Sequence, residues 1–295
     1  MKYFLPSLLL LLGLAACAPA DEANAAPTTD GTPSATERII SLSGFLTELV
    51  YDLGFSDQLV GIDVTSTYPP AANQLPKLGH VRKLNVEGVL ELKPTLILAD
   101  EGTKDQASLG TLEEAGINIL YVPSQATLNN AAKAAELLAE HLPIEAEQVR
   151  AYAEKIAADS LKLVETLAGV TEPKPRVLFI YARGAKQVMV AGADTEAAAM
   201  ISMAGGENAI TSFTEFKPLT PEALVEAAPD VILMFESGLA SLDGKDGLAN
   251  IPGISQTPAF KNDRVIAMDG HYLLGFGPRA AQAANELAKN LYPSR

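Results

Sequence analysis

The sequence has few of the side chains that form disulfides and bind transition metals. Its 295 residues include one cysteine and three histidines, so no disulfide can form within the chain. A zinc or manganese site usually takes about three histidines together with a carboxylate. His141 ends an alanine-rich predicted helix that starts at Ala126, apart from the loops that carry His80 and His271. The histidine content therefore argues against a zinc or manganese site.

Basic side chains are also scarce. There are 22 lysines and arginines against 36 aspartates and glutamates, which gives a net charge of −14. Nucleic acids and anionic membrane surfaces attract basic patches. The charge balance therefore argues against nucleic acid as a partner, although a few local arginines can still bind a small anion.

The common catalytic and nucleotide-binding motifs are missing from the sequence. It contains no G-x-S-x-G, no H-E-x-x-H and no G-x-x-x-x-G-K segment. Its single cysteine is explained by its position near the start of the chain. We therefore expect a protein that is not an enzyme.

The first residues have the pattern of an export signal. Lys2 precedes an apolar run from Phe4 to Ala16, which is too short for a permanent membrane helix. The run ends in Leu14-Ala15-Ala16-Cys17, which resembles a bacterial lipobox. We expect residues 1–16 to be a lipoprotein signal peptide and Cys17 to be lipidated. An ordinary signal peptide with an incidental cysteine is the alternative.

The next segment has the composition of a tether. Residues 18–36 are mostly Ala, Pro, Thr, Asp and Gly, without an apolar period, which predicts disorder. The mature protein is therefore expected to be exported, with a lipid anchor to a membrane facing the periplasm or the cell exterior.

The chain from Glu37 onward alternates predicted strands and helices. This alternation is typical of βαβ units with parallel sheets. A long helical segment at 143–170 has neither Gly nor Pro between Ile144 and Leu167, and separates a lobe at 37–142 from a lobe at 171–295. The predicted fold is α/β, with two lobes that each hold a mainly parallel sheet flanked by helices. One long helix joins them.

The loop from Gly61 to Arg82 has the parts of a ligand site. It presents Tyr68 just before the Pro69-Pro70 pair, and carries His80 and Arg82 on its far side. A tyrosine on a proline-stiffened loop, close in sequence to an imidazole and a guanidinium, predicts a binding loop.

One segment recurs in the second lobe. Leu84–Ala99 is repeated as Leu219–Met234, and Glu222 lies 135 residues after Glu87 (222 − 87). In each copy an N-cap residue opens a short helix with the glutamate in its first turn, where an acid also complements the helix dipole. The repeat therefore places one exposed carboxylate on the same rim of each lobe.

These features together resemble the class III substrate-binding proteins of ABC importers for iron complexes, haem and cobalamin. The resemblance covers nearly all of the chain from Glu37 onward. It implies that Glu87 and Glu222 dock onto arginines of the permease. It also implies a monomer that works with an ABC permease and its ATPase.

Two segments are most similar to the haem-binding branch of this family, the HmuT type. They are T-S-T-Y-P-P-A-A with L-P-K-L-G-H-V-R-K-L-N-V-E-G-V-L, and the stretch from Ala191 to Ala209. The resemblance implies Tyr68 as the axial ligand of ferric haem b, the transported ligand. Many members have Tyr in place of His80. Some members with two stacked haems have a histidine where this chain has Ala182-Arg183-Gly184, which favours one haem here.

Ferric iron and phenolate are a hard cation and a hard anionic ligand. Because a free tyrosine has a pKa near 10, the phenolate needs a nearby cation, for which Arg82 and Arg183 are the candidates. His80 and Tyr272 are further candidate haem contacts. The candidate donors to the haem propionates are Arg183, Lys186 and Arg279. The candidates for the apolar walls against the porphyrin are Leu273, Leu274 and Phe276.

Other cargoes on the same fold stay open at this stage. A ferric siderophore or cobalamin would suit the same architecture, and a zinc or manganese carrier is less favoured. The sequence also leaves open the haem stoichiometry and any sixth iron ligand.

Overall fold

The computed structural model of the protein describes residues 37–171 and 173–293. The predicted signal peptide, Cys17 and the tether lie outside these residues. Among the described residues, no helix has both the length and the apolar character that crossing a membrane requires.

The N-terminal lobe is built on a four-stranded parallel sheet. Its elements, in chain order, are β1 (Ile39–Ser41), α1 (Gly44–Asp52), β2 (Leu59–Ile62), α2 (Val86–Glu91), β3 (Leu96–Asp100), α3 (Ala107–Glu114), β4 (Ile119–Val122) and α4 (Asn130–Leu138). The strands lie in the order β2-β1-β3-β4, with every neighbour parallel. The central strands β1 and β3 are almost entirely buried, as expected for a parallel sheet covered on both faces.

The C-terminal lobe is built on a mixed sheet. It follows α5 (Ala146–Leu167), and its strands are β5 (Arg176–Ala182), β6 (Val188–Ala191), β7 (Glu207–Asn208), β8 (Phe216–Pro218), β9 (Val231–Phe235) and β10 (Val265–Met268). Its helices are α6 (Glu196–Met203), α7 (Pro221–Ala227), α8 (Glu236–Ala240), α9 (Gly244–Ala249), α10 (Pro258–Lys261), α11 (Gly270–Leu274) and α12 (Ala280–Leu291). The strand order is β10-β9-β5-β6-β8, and β7 pairs with β5. The pairs β10·β9, β9·β5 and β5·β7 are parallel, whereas β6 is antiparallel to both neighbours.

The long helix α5 is attached to both lobes. On the N-terminal side the Lys155 ammonium lies 2.8 Å from the Asp52 carboxylate. On the C-terminal side the Thr166 hydroxyl donates a hydrogen bond of 2.6 Å to the Asn285 side chain. The 22-residue helix is about 33 Å long at 1.5 Å per residue, so it forms a stiff connection between the lobes.

The predicted fold class is confirmed, with two lobes, two sheets and one long joining helix. The sequence pattern predicts strands at Leu59–Ile62, Arg176–Ala182 and Val231–Phe235 and a helix at Pro221–Ala227, which are the bounds of β2, β5, β9 and α7. The helix predicted from Ala126 to His141 is shorter, because α4 covers only Asn130–Leu138. The segment around His271, predicted as a loop, is the short helix α11, capped by the Asp269 side chain. The exact lobe boundaries stay a prediction.

Candidate functional site

The candidate site lies where the carboxyl ends of strands from both sheets approach each other. Helix α1 with Glu48 follows β1, the Tyr68 loop follows β2, and α11 with His271 follows β10. His271 Nε2 lies 4.0 Å from a Glu48 carboxylate oxygen, and a Cβ placed on Gly44 would come within 2.8 Å of the same nitrogen. The two lobes are therefore in direct contact here, at the edge where α/β proteins commonly bind ligands.

A buried aspartate holds the loop that leads to Tyr68. Asp63 is 1% exposed, and its carboxylate accepts hydrogen bonds from the Ser66 amide at 3.1 Å and the Ser66 hydroxyl at 2.7 Å. It also accepts one from the Thr65 hydroxyl at 2.7 Å. The buried Thr47 hydroxyl of α1 lies 2.7 Å from that of Ser66. These bonds fix the backbone just before Tyr68 against the first helix of the lobe.

Tyr68 is 39% exposed and carries a guanidinium over one face of its ring. The guanidinium carbon of Arg279 lies 3.6 Å from the centre of the Tyr68 ring and 5.0 Å from that of Tyr272. Arg279 therefore supplies the positive charge beside the Tyr68 phenol.

Arg279 is oriented by a buried carboxylate of the other lobe. Its Nε and Nη2 donate hydrogen bonds of 2.7 and 2.9 Å to the two oxygens of Glu48. This two-point geometry holds the plane of the guanidinium as well as its charge. The Glu48 side chain is only 4% exposed, so the pair is largely shielded from solvent.

The charges around this pair follow from burial and proximity. Burial alone would lower the pKa of Arg279, but the hydrogen bonds and charge of Glu48 outweigh it and raise the pKa. Burial is also the largest influence on His271, and it lowers the pKa of the imidazole below its usual 6.5 despite the nearby Glu48. His271 is therefore neutral at pH 7, and its contact with Glu48 is not an ion pair.

Tyr272 lies in partly buried surroundings beside a carboxylate. Burial, together with the carboxylate of Glu286, raises the pKa of Tyr272 to about 12. At neutral pH this side chain is a phenol, which can donate a hydrogen bond but carries no negative charge. Tyr272 therefore suits a polar contact better than metal ligation.

The C-terminal lobe contributes an aromatic wall. Tyr181 at the end of β5 packs edge-on against Phe216 and Phe235, with ring centres 6.4 and 6.0 Å apart. Phe179 lies behind them, 5.1 Å from Phe235. The Arg183 guanidinium is 5.6 Å from the Tyr181 ring, so an exposed cation stands beside the wall.

Two of the three apolar residues predicted from the sequence to line the site are buried. Leu273 is fully buried and Phe276 is 2% exposed, both in the hydrophobic core of the lobe, and Leu274 is half-buried against that core. Because α11 is a helix and not an open loop, its apolar side chains point into the protein. The expectation that Leu273 and Phe276 line the cleft is wrong.

The other predicted site residues are placed as follows. His80 is exposed, and its Nδ1 accepts a hydrogen bond from the Arg82 amide, so it caps a turn. Arg82 is exposed as well. Within the described chain no hydrogen bond or cation–π contact joins Arg82 or Arg183 to Tyr68. Arg279, which we expected among the propionate donors, takes that place.

Of the three charged residues at this centre, Arg279 and Asp63 have a recognisable signal in the sequence and Glu48 has none. Glu48 was missed because it looks like an ordinary polar position of α1. Arg279 is the only lysine or arginine between Arg264 and Lys289, and this isolation is the signal that could have drawn attention to it. Asp63 could have been found from the three hydroxyl residues that follow it.

The two repeated helices match each other in structure. The Asn85 side chain accepts a hydrogen bond from the Gly88 amide, and Thr220 does the same for Ala223, which confirms both predicted N-caps. Glu87 and Glu222 are both exposed in the first turn of their helices. Glu222 directly follows Pro221, the first residue of α7.

Acidic and histidine side chains of the described residues do not gather into a metal site. In residues 37–171 and 173–293, no three His, Cys, Asp or Glu side chains are placed to hold a metal ion.

Comparisons with known proteins agree with this architecture. The family described as periplasmic binding protein matches residues 39–272. The structure is similar to the periplasmic haem-binding protein RhuT from Roseiflexus sp. RS-1, with 38% identity, a TM-score of 0.83, and coverage of 88% of this chain and 99% of that one. It is similar to the haem-binding protein BhuT in complex with two haems, with 35% identity, the same TM-score and the same coverage.

A curated relative carries a different ligand in its name. The vitamin B12-binding protein of Photorhabdus laumondii is 30% identical over 255 residues, which cover 86% of this chain and 87% of the relative. Proteins of this kind are substrate carriers without enzymatic activity, in agreement with the expectation from the sequence. The chain belongs to the periplasmic binding protein family.

Proposed function

We propose that the protein is an extracytoplasmic carrier that binds ferric haem through Tyr68 and delivers it to an ABC importer. The observation that carries this proposal is the exposed Tyr68 phenol, with its loop fixed by Asp63 and the Arg279 guanidinium 3.6 Å from its ring centre. The haem-binding proteins RhuT and BhuT, to which the structure is similar, support the choice of ligand.

Tyr68 is the axial ligand in this proposal. A phenolate is a hard anionic donor that favours ferric iron and suits a carrier that does not activate oxygen. Arg279 stabilises the negative charge of the phenolate, and Glu48 keeps Arg279 in place. Tyr272, a phenol with a pKa of about 12, contributes a polar contact and leaves the metal to Tyr68.

The remaining parts of the haem meet the C-terminal lobe. The rings of Tyr181, Phe216 and Phe235 offer the apolar surface that a flat porphyrin needs. Arg183 is exposed beside this wall and is the candidate donor for a propionate, with Lys186 on the same turn. Because this turn carries no histidine to ligate a second iron, we propose one haem per chain.

The decisive experiment is a hemin titration of the chain lacking residues 1–17, followed by absorbance. We expect saturation at one haem, with the charge-transfer bands of tyrosinate-ligated ferric haem. Tyr68→Phe should lose these bands and bind roughly a hundredfold more weakly, or worse, because it removes the ligand oxygen alone. Tyr272→Phe is the matched control and should keep the bands.

Other outcomes would revise the proposal in separate ways. A flat titration of the unchanged protein would remove haem as the cargo. Saturation at two haems would place a second ligand in the C-terminal lobe. Unchanged bands in Tyr68→Phe would remove Tyr68 from the iron.

Cobalamin is the second candidate cargo, because the Photorhabdus laumondii relative is named a vitamin B12-binding protein. A parallel titration with cyanocobalamin separates the two. Tight binding of cyanocobalamin that is insensitive to Tyr68→Phe, without a response to hemin, would favour the corrinoid.

Delivery assigns roles to the two matched glutamates and to the start of the chain. Glu87 and Glu222, exposed on equivalent helices of the two lobes, dock onto basic groups of the permease. Cys17 carries the lipid that keeps the carrier at the membrane surface, where it acts as a monomer. Glu87→Ala combined with Glu222→Ala should leave hemin binding intact and abolish haem uptake by cells.

A further inference from the structure

The exposed apolar residues of the chain are not scattered at random. Six large hydrophobic side chains of the described residues are exposed: Val64, Tyr68, Leu90, Leu161, Val164 and Val225. Val64 and Tyr68 belong to the ligand loop, and Leu161 and Val164 lie one turn apart on α5. Leu90 lies on α2 and Val225 on α7, and they are again 135 residues apart (225 − 90).

Leu90 and Val225 share a helix face with the matched glutamates. Leu90 follows Glu87 by three residues, and Val225 follows Glu222 by three, a spacing that brings side chains together on a helix surface. An exposed second glutamate comes next in each helix, Glu91 in one case and Glu226 in the other. Each helix therefore displays an acid, an aliphatic side chain and a second acid as one patch.

The structure fixes the two helices in the same way. Arg38, just before β1, donates hydrogen bonds of 3.0 and 2.7 Å to the Leu92 carbonyl at the end of α2. Arg176, at the start of β5, donates bonds of 3.0 and 2.9 Å to the Ala227 carbonyl at the end of α7. Each arginine thus satisfies a terminal carbonyl that has no partner within its helix.

The backbone repeats as well. The residue before the proline that follows each helix has a positive φ, 48° at Lys93 and 35° at Ala228, although neither is glycine. Non-glycine residues adopt this region uncommonly, so its presence at both equivalent positions is informative. The two helices that carry the patches therefore end in the same backbone conformation and are held by equivalent arginine contacts.

We propose that Leu90 and Val225 are docking contacts, each inserted into an apolar depression of the permease beside the basic group that binds the neighbouring glutamate. The inference rests on the proposed docking role and adds its apolar part. The partner it requires offers the same chemistry twice, a guanidinium or ammonium next to a hydrophobic pocket. The net charge of −14 and the acids that flank each aliphatic side chain match such a basic surface.

The exposure of the two side chains sets the size of the effect. Leu90 is 40% exposed and Val225 is 81% exposed, so docking can bury a large part of each. Burial of such a side chain on a partner corresponds to roughly a tenfold gain in affinity at each position. The acids give orientation and a salt-dependent encounter, whereas the aliphatic contacts slow dissociation.

The test measures haem uptake in the host cell with its own copy replaced by variants. Leu90→Ser combined with Val225→Ser should lower the initial uptake rate at least tenfold, while the purified variant keeps its hemin titration and its unfolding midpoint. Leu161→Ser with Val164→Ser on α5 is the matched control. It removes two aliphatic side chains that are 62% and 61% exposed and should leave uptake unchanged.

Three results would overturn the inference and can be told apart. If Glu87→Ala with Glu222→Ala stops uptake but the serine pair on α2 and α7 does not, docking stands and its apolar part is wrong. If neither pair affects uptake, the docking role itself is wrong and the inference fails with it. An equal loss in the α5 control would also overturn it, because the effect would then not be specific to the repeated helices.

Discussion

The N-terminal and C-terminal lobes contribute different kinds of side chains to the two faces of the candidate site. The N-terminal lobe buries hydroxyls and a carboxylate beneath the ligand loop, with Asp63, Ser66 and Thr47 all at most 1% exposed. The C-terminal lobe instead presents packed rings, Phe235 and Tyr181 among them. Hydrogen bonds are directional and hold one geometry, whereas ring packing tolerates small shifts. The first face is suited to aim a ligand atom, and the second to accept a flat apolar surface.

The largest expected effect comes from breaking the ion pair that joins the two faces. Arg279→Leu leaves the buried Glu48 charge without a partner and should lower the free energy of unfolding by about 4 kcal/mol. Urea unfolding measures this change. Lys155→Leu, which removes an exposed ion pair with Asp52, is the control and should cost less than about 1 kcal/mol. Equal costs would show that the Glu48 pair has no special role.

A somewhat smaller effect is expected within the polar face. Asp63→Ala removes the acceptor of three hydrogen bonds and should cost about 3 kcal/mol, since buried donors are left without partners. Hemin affinity should fall at the same time, because the backbone before Tyr68 is no longer fixed. A variant with normal affinity and reduced stability would separate the loop's stability from its function.

Substitutions in the aromatic face should lower the free energy of unfolding less than substitutions in the polar face. Phe235→Ala opens space against Phe179 and should cost about 2 kcal/mol, less than a fully buried phenylalanine because Phe235 is half-buried. Phe235→Leu should cost less than about 1.5 kcal/mol and retain most of the hemin affinity. If Phe235→Leu lost the ligand as completely as Tyr68→Phe, the two faces would not differ in the way described.

The smallest expected effect is a pH dependence of stability caused by His271, which lies where the two lobes meet. Burial lowers the pKa of His271 in the folded protein below the usual 6.5, so the unfolded chain binds the proton more readily. Stability should therefore fall as pH drops below about 6.5, by at most about 1.4 kcal/mol per pH unit for this one group. Unfolding midpoints of the unchanged protein and His271→Gln between pH 7.5 and 5 test it, and the variant should show the shallower decline.

Local patterns in the sequence predicted most of the framework. Strands such as β5 and β9 are continuous apolar runs, and α7 starts at a proline after an N-cap threonine, so their bounds follow from neighbouring residues. The helix α11 has only five residues, too few for a helical period to be visible. The sequence there predicts a loop, and the expectation that Leu273 and Phe276 line the site is therefore wrong.

The centre of the site depends on a contact that no local pattern contains. Glu48 and Arg279 are 231 residues apart in sequence and meet across the contact between the two lobes. From the sequence alone, Arg82 is a candidate cation for Tyr68. Arg82 is exposed, and within the described residues it makes no hydrogen bond or cation–π contact with the Tyr68 side chain. The loop that carries Tyr68 could be identified as a candidate, because its prolines and the hydroxyls before it are neighbours in sequence, and the role of Tyr68 as a ligand stays a prediction.

The attachment of α5 to both lobes affects the choice of a fluorescent reporter for ligand binding. A stiff helix bonded to both lobes limits how far they can separate, so a pair of dyes placed one on each lobe would report little. A local reporter suits the molecule better. The chain contains no tryptophan, and Phe235→Trp would place a single emitter in the aromatic wall. Its quenching by an arriving porphyrin would turn the carrier into an optical sensor.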